Sequence, residues 1–123
     1  MTAMRDILAE LRGTPGVKGC SVVTKDGIAV ESSLGPDLRE DVVAGLTSLL
    51  VSRVGRALEV GGMIGFSRFV MNSSHGKVIL MTFGEVCLVV ITDQFVSPDH
   101  CAGEIRESVM GLRQLTKMES PRP

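Results

Sequence analysis

The chain has 123 residues, of which 13 are basic and 14 are acidic, so its formal net charge is −1, and 44% of its residues are hydrophobic. This length predicts a single domain, and the hydrophobic content is enough for one core without disulfide or metal cross-links. With no Trp, no Tyr and only four Phe, and with no run of basic residues, the chain lacks the features of a nucleic-acid-binding surface, so we expect no nucleic-acid partner.

The cysteines and the hydropathy pattern bear on the cellular compartment. Cys20, Cys87 and Cys101 are an odd number of cysteines without C-x-x-C spacing, which favours free thiols in a reducing compartment. No apolar stretch reaches the roughly 18 residues that a membrane span needs, and the N-terminus has mixed charge, unlike a signal peptide. We therefore expect a cytoplasmic protein, complete without a signal sequence and without a membrane partner.

The first elements in the chain are a short helix and a hairpin. Apolar residues at helical spacing predict an amphipathic helix over residues 2–12 that ends at Gly13. Two strand-like runs, residues 17–24 and 28–33, flank Lys25-Asp26-Gly27. Because Asp-Gly readily adopts the positive φ that a tight turn requires, these runs predict an antiparallel hairpin.

The longest predicted helix, residues 37–60, has an apolar face that is too wide for one partner. At about 100° per residue its apolar side chains cover an arc of about 220°, whereas a one-sided surface helix needs a stripe of roughly 100°. They are Leu38, Val42, Val43, Leu46, Leu49, Leu50, Val51, Val54 and Leu58. We expect the helix to pack against two partners, the second being either another copy of the chain or another element of its own fold.

Small residues and a capping pattern also mark this helix. Small side chains occupy part of the remaining arc and would let another backbone approach closely, unless they simply form a solvated face. They are Ala44, Gly45, Ser48, Ser52 and Gly55. Asp37 is predicted to cap the helix, and Glu40 three residues later would complete a capping box.

Three further strands and a last helix complete the pattern. The strands are predicted at residues 66–72, 77–83 and 86–92, and their short turns force an antiparallel meander. Ser97-Pro98-Asp99 predicts the start of a helix that continues to about residue 117, because Ser is a favourable N-cap and Pro suits the first helical position. Residues 119–123 are expected to be a disordered tail.

The strands differ in which faces are apolar. Residues 78–81 and 86–91 are apolar on both faces, which predicts central strands covered by helices above and below and therefore a three-layer α/β (α+β) sandwich. Residues 66–72 are mixed and are predicted at the edge of the sheet. An exposed edge that carries Phe and Met is an aggregation hazard unless another chain pairs with it. The wide helix and this edge together predict a homodimer.

The sequence contains no arrangement that indicates catalysis or a cofactor. Gly61-Gly62-Met63-Ile64-Gly65 lacks the Lys, the hydroxyl and the following helix of a phosphate loop, so we interpret it as a helix stop. His75 and the run Asp99-His100-Cys101 lack the paired spacing of a zinc site. Neighbouring residues on a helix point about 100° apart, so His100 cannot act as a base for Cys101. We predict a protein that is not an enzyme and holds no metal or cofactor.

The order of the segments and one continuous stretch resemble the Roadblock family, the dynein-light-chain-like domain. Residues 15–30 read PGVKGCSVVTKDGIAV, with the family's pGV-G opening, a strand, a D-G turn and a second strand. The turn at residues 74–77 and the apolar runs at 78–81 and 84–90 resemble the family's fourth and fifth strands. The resemblance covers residues 4–118, which we therefore expect to form one Roadblock domain.

The resemblance implies a fold and an assembly. The sheet would have five strands in the order 2-1-5-4-3, with the first and last helices on one face and the long helix on the other, as in Roadblock and profilin-like folds. Two copies would pair through strand three and the long helix. On this basis the predicted dimer-interface residues are Val43, Leu50, Val54, Phe66, Arg68, Phe69, Val70 and Met71.

The resemblance also implies a function, because bacterial and archaeal members of the family are companions of small Ras-like GTPases. A homodimer of this chain would bind such a GTPase and modulate its nucleotide cycle by reshaping its switch region, without donating a catalytic side chain. Candidate contact residues on the long helix are Arg39, Asp41, Arg53, Arg56 and Glu59, each of which is also explained as a solvated charge. Two alternatives stay open: a structural scaffold subunit of a larger signalling, motility or motor complex, and a small-ligand sensor.

Overall fold

The computed structural model describes residues 3–63, 65–97 and 102–119. Within these ranges the helices and strands follow the predicted order. They are α1 (Met4–Arg12), β1 (Val17–Thr24), β2 (Ala29–Leu34), α2 (Glu40–Val60), β3 (Arg68–Ser73), β4 (Gly76–Phe83), β5 (Val86–Thr92) and α3 (Ala102–Glu119). Among the residues so described, no helix combines the length and the hydropathy needed to cross a bilayer.

The five strands form one sheet in the order β2-β1-β5-β4-β3, and every neighbouring pair is antiparallel. This confirms the strand order that the resemblance implied. The tight turns depend on glycine at two places: Gly27 has a φ of +92° and Gly84 a φ of +61°. Because a side chain at positive φ is strained, these glycines allow the direct reversals of the chain that an antiparallel sheet needs.

The sheet is covered by helices on both faces, which confirms the predicted three layers. On one face, α1 and α3 bury Leu8, Leu11, Ile105, Val109 and Leu112 against β1, β4 and β5. On the other face, Val43 and Ala44 of α2 pack against Val23, Leu80 and Val89. The central strands are therefore enclosed on both sides, which explains why their residues are apolar at consecutive positions.

The start of α2 differs from the prediction. The helix begins at Glu40, and its N-cap residue, Arg39, makes no side-chain capping hydrogen bond, so the predicted cap by Asp37 with a capping box is wrong. The Leu38 amide instead donates to the Gly35 carbonyl at an N–O distance of 3.1 Å, which is within the usual range for such a hydrogen bond. Pro36 favours this turn because its fixed φ suits the second turn position.

Several other boundaries shift by one or two residues. α1 starts at Met4, β2 spans Ala29–Leu34, β3 starts at Arg68 and β4 starts at Gly76. α3 extends through Glu119, so Glu119 does not belong to a disordered tail. The predicted helix start at residues 98–101 and the remainder of the predicted tail, residues 120–123, lie outside the described residues.

Candidate interaction surface

α2 uses only part of its apolar arc within its own chain. Val43, Ala44 and Thr47 are buried, and Val43 retains 4% of its exposure. On the side of the helix that faces away from these residues, Val42 is 57% exposed and Leu49 is 52% exposed. The wide arc predicted from the sequence is thus divided between one contact inside the chain and a strip that faces solvent.

The small residues of α2 are divided in the same way. Ala44 and Ser48 contact the β1–β2 turn, where a Cβ built on Gly27 would lie 3.2 Å from the Ser48 Cβ. The Ser48 hydroxyl donates to the Lys25 carbonyl at 3.0 Å. A Cβ built on Gly45 would meet nothing within 4 Å. Ala44 and Ser48 therefore allow the β1–β2 turn of the same chain to approach α2 closely, whereas Gly45 is open to solvent.

The β3 edge lies at one end of the sheet, and its backbone is regular. Residues from Arg68 to Ser73 pair one to one with Met81 to Gly76 of β4, without a register shift. Phe69 and Leu80 are paired, and both belong to the core between the sheet and α2. The rings of Phe66 and Phe69 meet edge to face, with centroids 6.3 Å apart and planes at 65°.

The predicted interface residues fall into three environments. Arg68 is exposed, whereas Phe66, Phe69, Val70 and Met71 are half-buried on or just before β3. Leu50 and Val54 of α2 are half-buried as well. Val43 differs, because its side chain is already enclosed by the core of its own chain and has no surface to offer a second copy.

Sequence reasoning did not single out Val42 and Leu49 as interface residues, although each is more than half exposed on α2. The signal was present in the width of the apolar arc. The sequence does not give the rotation of the helix about its axis. The apolar arc spans about 220°, and the pattern alone does not say which part of it meets the sheet.

The predicted partner-contact residues are all exposed, and the structure separates them into two groups. At the start of α2, Arg39 Nη2 lies 3.0 Å from Asp41 Oδ2 in a solvated salt bridge. Arg53, Arg56 and Glu59 lie near the other end of the helix. At 1.5 Å per residue, Arg39 and Arg53 are roughly 20 Å apart along the axis, so one small ligand does not span both groups.

Two of the clefts formed by the described residues adjoin α2. One has a volume of about 170 Å³ and is lined by Lys25, Val51, Gly55, Glu59, Gly65, Phe66 and Thr82. The Thr82 hydroxyl in this cleft donates to the Phe66 carbonyl, so its hydrogen is already used. The volume is below the roughly 300 Å³ that ligand pockets usually have. The other cleft is a groove lined by residues 51–60 of α2 alone, which makes it a helix surface rather than an enclosed site.

The cysteines described by the structure, Cys20 and Cys87, are free thiols, as predicted, and both are buried. Burial raises the pKa of Cys20 to about 12, and the Arg12 guanidinium opposes this shift. Burial also raises the pKa of Cys87, against the charge of Lys25. The Cys20 thiol donates to the Leu8 carbonyl at 3.2 Å. Because the thiolate is the reactive form, both groups are poor nucleophiles near neutral pH.

Of the residues considered for a metal or nucleophile site, the structure describes His75. His75 lies in the β3–β4 turn, where its Nδ1 is 2.9 Å from the Ser74 hydroxyl. Asp99, His100 and Cys101 lie outside the described residues. Over residues 3–63, 65–97 and 102–119, no group of three or more His, Cys, Asp or Glu is placed to hold a metal ion.

Comparison with known proteins identifies the family. A family model for the Roadblock/LC7 domain matches residues 4–92. The chain belongs to the Roadblock/LC7 family. The uncharacterised protein MJ0714 of Methanocaldococcus jannaschii is 34% identical to this chain over 91 residues, which are 74% of the chain and 77% of the relative. The resemblance found in the sequence is therefore confirmed.

Solved structures share the fold. Myxococcus xanthus MglB superposes with a TM-score of 0.86 at 20% identity, covering 96% of this Roadblock chain and 98% of MglB. Profilin IB of Acanthamoeba castellanii superposes with a TM-score of 0.62 at 15% identity, covering 91% of this chain and 98% of the profilin. Both comparisons show the Roadblock and profilin-like fold, which confirms the predicted fold class.

Proposed function

We propose that two copies of this Roadblock chain form a homodimer through β3 and α2, and that the dimer binds a small Ras-like GTPase and modulates its nucleotide cycle. The chain would act as a regulator and not as an enzyme, with residues 4–118 as its single domain. The observation that carries the dimer is the combination of a regular, unpaired strand edge with exposed apolar side chains on the adjoining helix. Both are unfavourable in water and are stabilised when a second copy covers them.

The two parts of this surface are linked within the chain. Leu50 of α2 and Phe69 of β3 pack against the same buried cluster, so a second copy that pairs with β3 is brought close to α2. The proposed interface consists of Val42, Leu49, Leu50, Val54, Phe66, Arg68, Phe69, Val70 and Met71. Val43 is left out because it is buried within its own chain.

The support for a GTPase partner is the family and the resemblance to its GTPase-associated members. Arg53, Arg56 and Glu59 are exposed near the end of α2, where a macromolecular partner can reach them. The Arg39–Asp41 pair is also exposed. Such surface pairs contribute only about 0–1 kcal/mol, so either side chain can exchange its partner at little cost.

The test combines the mass of the protein with the nucleotide turnover of a candidate partner. Light scattering should give twice the chain mass at micromolar concentration. Single-turnover GTP hydrolysis and nucleotide exchange of a purified small Ras-like GTPase from the same organism should change when this protein is added. The double variant Arg53→Glu, Arg56→Glu should keep the dimer mass by light scattering and should weaken the effect on nucleotide turnover by about tenfold or more, since reversed charges at an interface are repelled.

A matched control uses Arg106→Glu with Arg113→Glu, two exposed residues of α3 on the opposite face of the sheet. These substitutions change the net charge by the same amount as Arg53→Glu with Arg56→Glu. They should leave the effect on GTP hydrolysis and nucleotide exchange unchanged. Binding without any change in hydrolysis or exchange would favour the scaffold alternative. A failure to bind any small Ras-like GTPase of that organism would contradict the GTPase proposal.

A further inference from the structure

The backbone groups of β3 alternate between β4 and the open edge. The Thr82 amide donates to the Ser67 carbonyl at 3.1 Å, and Ser73 pairs with Gly76 across a two-residue turn. In an antiparallel ladder, hydrogen-bonded pairs recur at every second residue. Residues 67, 69, 71 and 73 therefore direct their amides and carbonyls to β4. Arg68, Val70 and Asn72 direct theirs outward, where the sheet ends.

This alternation restricts how β3 can pair with a second copy of itself. Hydrogen bonds form only when an outward residue of one strand lies opposite an outward residue of the other. A twofold axis at Val70 pairs Val70 with Val70 and Arg68 with Asn72, so all the outward residues of β3 are used. With the axis at Phe69, Arg68 pairs with Val70, but Asn72 lies opposite residue 66, before β3 begins. With the axis at Met71, Val70 pairs with Asn72, but Arg68 lies opposite residue 74, after β3 ends.

We propose that the two copies pair β3 antiparallel with Val70 on the twofold axis; this register rests on the homodimer proposed above. The side chains of β3 fit it. Arg68 lies opposite the polar Asn72 of the second copy, and Val70 lies opposite Val70. On the face that packs against α2, Phe69 lies opposite Met71 of the second copy, and cross-strand pairs of this kind stabilise sheets.

The neighbouring registers match side chains less well. An axis at Phe69 places Arg68 opposite Val70 of the second copy, and an axis at Met71 places Asn72 opposite Val70. Each sets a polar side chain against an apolar one on the face that carries the α1 and α3 core, where Val70 is half-buried. The axis at Val70 is the register that pairs like with like on both faces of the sheet.

Cysteine cross-linking distinguishes the registers. In a Cys101→Ser background, Val70→Cys, Phe69→Cys and Met71→Cys are oxidised, and the products are measured by intact mass under non-reducing conditions. Residues directly opposite in a hydrogen-bonded pair have Cα atoms about 5.5 Å apart, within the disulfide range. Residues displaced by two positions are about 7–8 Å apart, which is too far.

The expected result is a cross-linked dimer for Val70→Cys alone and none for Phe69→Cys or Met71→Cys alone. Mixing the Phe69→Cys and Met71→Cys proteins should give a cross-linked heterodimer, because these positions lie opposite each other. The native Cys20 and Cys87 are buried and are present equally in every variant, so they serve as an internal background.

Other outcomes overturn the register. Cross-linking of Phe69→Cys alone would place the axis at residue 69, and cross-linking of Met71→Cys alone would place it at residue 71. A dimer by light scattering with no cross-link at any of these positions would show that the copies meet through another surface. A monomer by light scattering would instead remove the proposed homodimer itself.

A second measurement needs no substitution. Isotope-filtered NMR on a mixture of labelled and unlabelled chains should show contacts between the Met71 methyl of one copy and the Phe69 ring of the other. Contacts between the two Phe69 rings, or between the two Met71 methyls, in place of this pair would contradict the register.

Discussion

The two edges of the sheet, β2 and β3, both carry apolar side chains but differ in their backbones. In β2, Glu31 pairs with Val22 and Ala29 pairs with Val23, so Val30 is an extra residue that forms a bulge. β3 pairs with β4 at six successive positions without interruption. A bulge increases the local twist and interrupts the row of outward amides and carbonyls, which protects an edge from further pairing.

This difference shows that exposed apolar side chains are not sufficient to make a strand edge an interface. Val30 is 48% exposed and lies on an edge, yet its strand does not offer a continuous ladder. β3 offers both apolar side chains and a regular row of donors and acceptors. Only β3 therefore meets both requirements for adding a strand from another chain.

The largest expected effect comes from proline at Val70. Its amide points outward in the alternation derived above, so Val70→Pro removes no hydrogen bond to β4 but blocks pairing with a second copy. We expect a folded monomer at concentrations where the unmodified chain is dimeric. Light scattering and circular dichroism check the mass and the fold.

Val30→Pro on the bulged edge is the matched control for this substitution and should leave the dimer mass unchanged. If Val70→Pro remained a dimer while Val30→Pro became a monomer, the roles of the two edges would be reversed.

The second prediction concerns the helix beside the β3 edge. Leu49→Asp places a charge in the proposed interface, and its desolvation should weaken the dimer by about 2–3 kcal/mol, or roughly 30- to 150-fold in dissociation constant. Analytical ultracentrifugation over a concentration series measures this constant.

Met110→Asp provides the control, because Met110 is 63% exposed and Leu49 is 52% exposed, but Met110 lies on α3, across the sheet. It should leave the dissociation constant within about twofold of the original, as surface substitutions away from an interface usually do. Equal weakening by both substitutions would contradict a dimer interface on α2.

The third prediction converts one edge into the other. Deleting Val30 removes the extra residue of the bulge and makes β2 regular, so its outward amides and carbonyls become a continuous row. We expect association beyond the dimer to increase by about tenfold, corresponding to about 1.4 kcal/mol. Light scattering should detect larger species that the unmodified chain does not form at the same concentration. An unchanged dimer would show that the bulge is not what protects β2.

The smallest expected effect concerns β1, the strand with which the β2 edge pairs. Cys20 is paired with Ser33 of β2, and burial raises its thiol pKa from 9.0 to about 12. The thiol pKa is higher in the folded chain than in the unfolded chain, so the unfolded chain releases its thiol proton first as the pH rises. The contribution of this thiol to stability is therefore complete below pH 9 and is lost as the pH rises from 9 towards 12. Stability should fall by about 1 kcal/mol from this thiol between pH 8 and pH 10.

Urea unfolding at these two pH values, compared with Cys20→Ala, measures the contribution. The variant should show a shallower loss of stability over the same interval. An equal loss in both proteins would mean that water already reaches the Cys20 thiol, beneath α1, in the native state.

Local sequence signals were sufficient for most of the architecture. Asp26-Gly27 and Gly84 mark tight reversals, and apolar periodicity marks helices and strands, because these signals act over a few residues. The start of α2 was missed because Asp37 suits a cap and a turn equally well, and the Gly35–Leu38 turn uses it. Side-chain chemistry near a helix start favours a cap without excluding a turn.

The sequence by itself determined the elements, their order, the excess apolar width of α2 and the lack of a C-x-x-C spacing among the cysteines. Tertiary structure alone decided that Val43 turns to the sheet while Val42 and Leu49 turn to solvent, and that Val30 forms a bulge. The physical reason is range: turns and periodicity depend on neighbouring residues, whereas the rotation of a helix and the register of an edge depend on contacts between segments far apart in the chain.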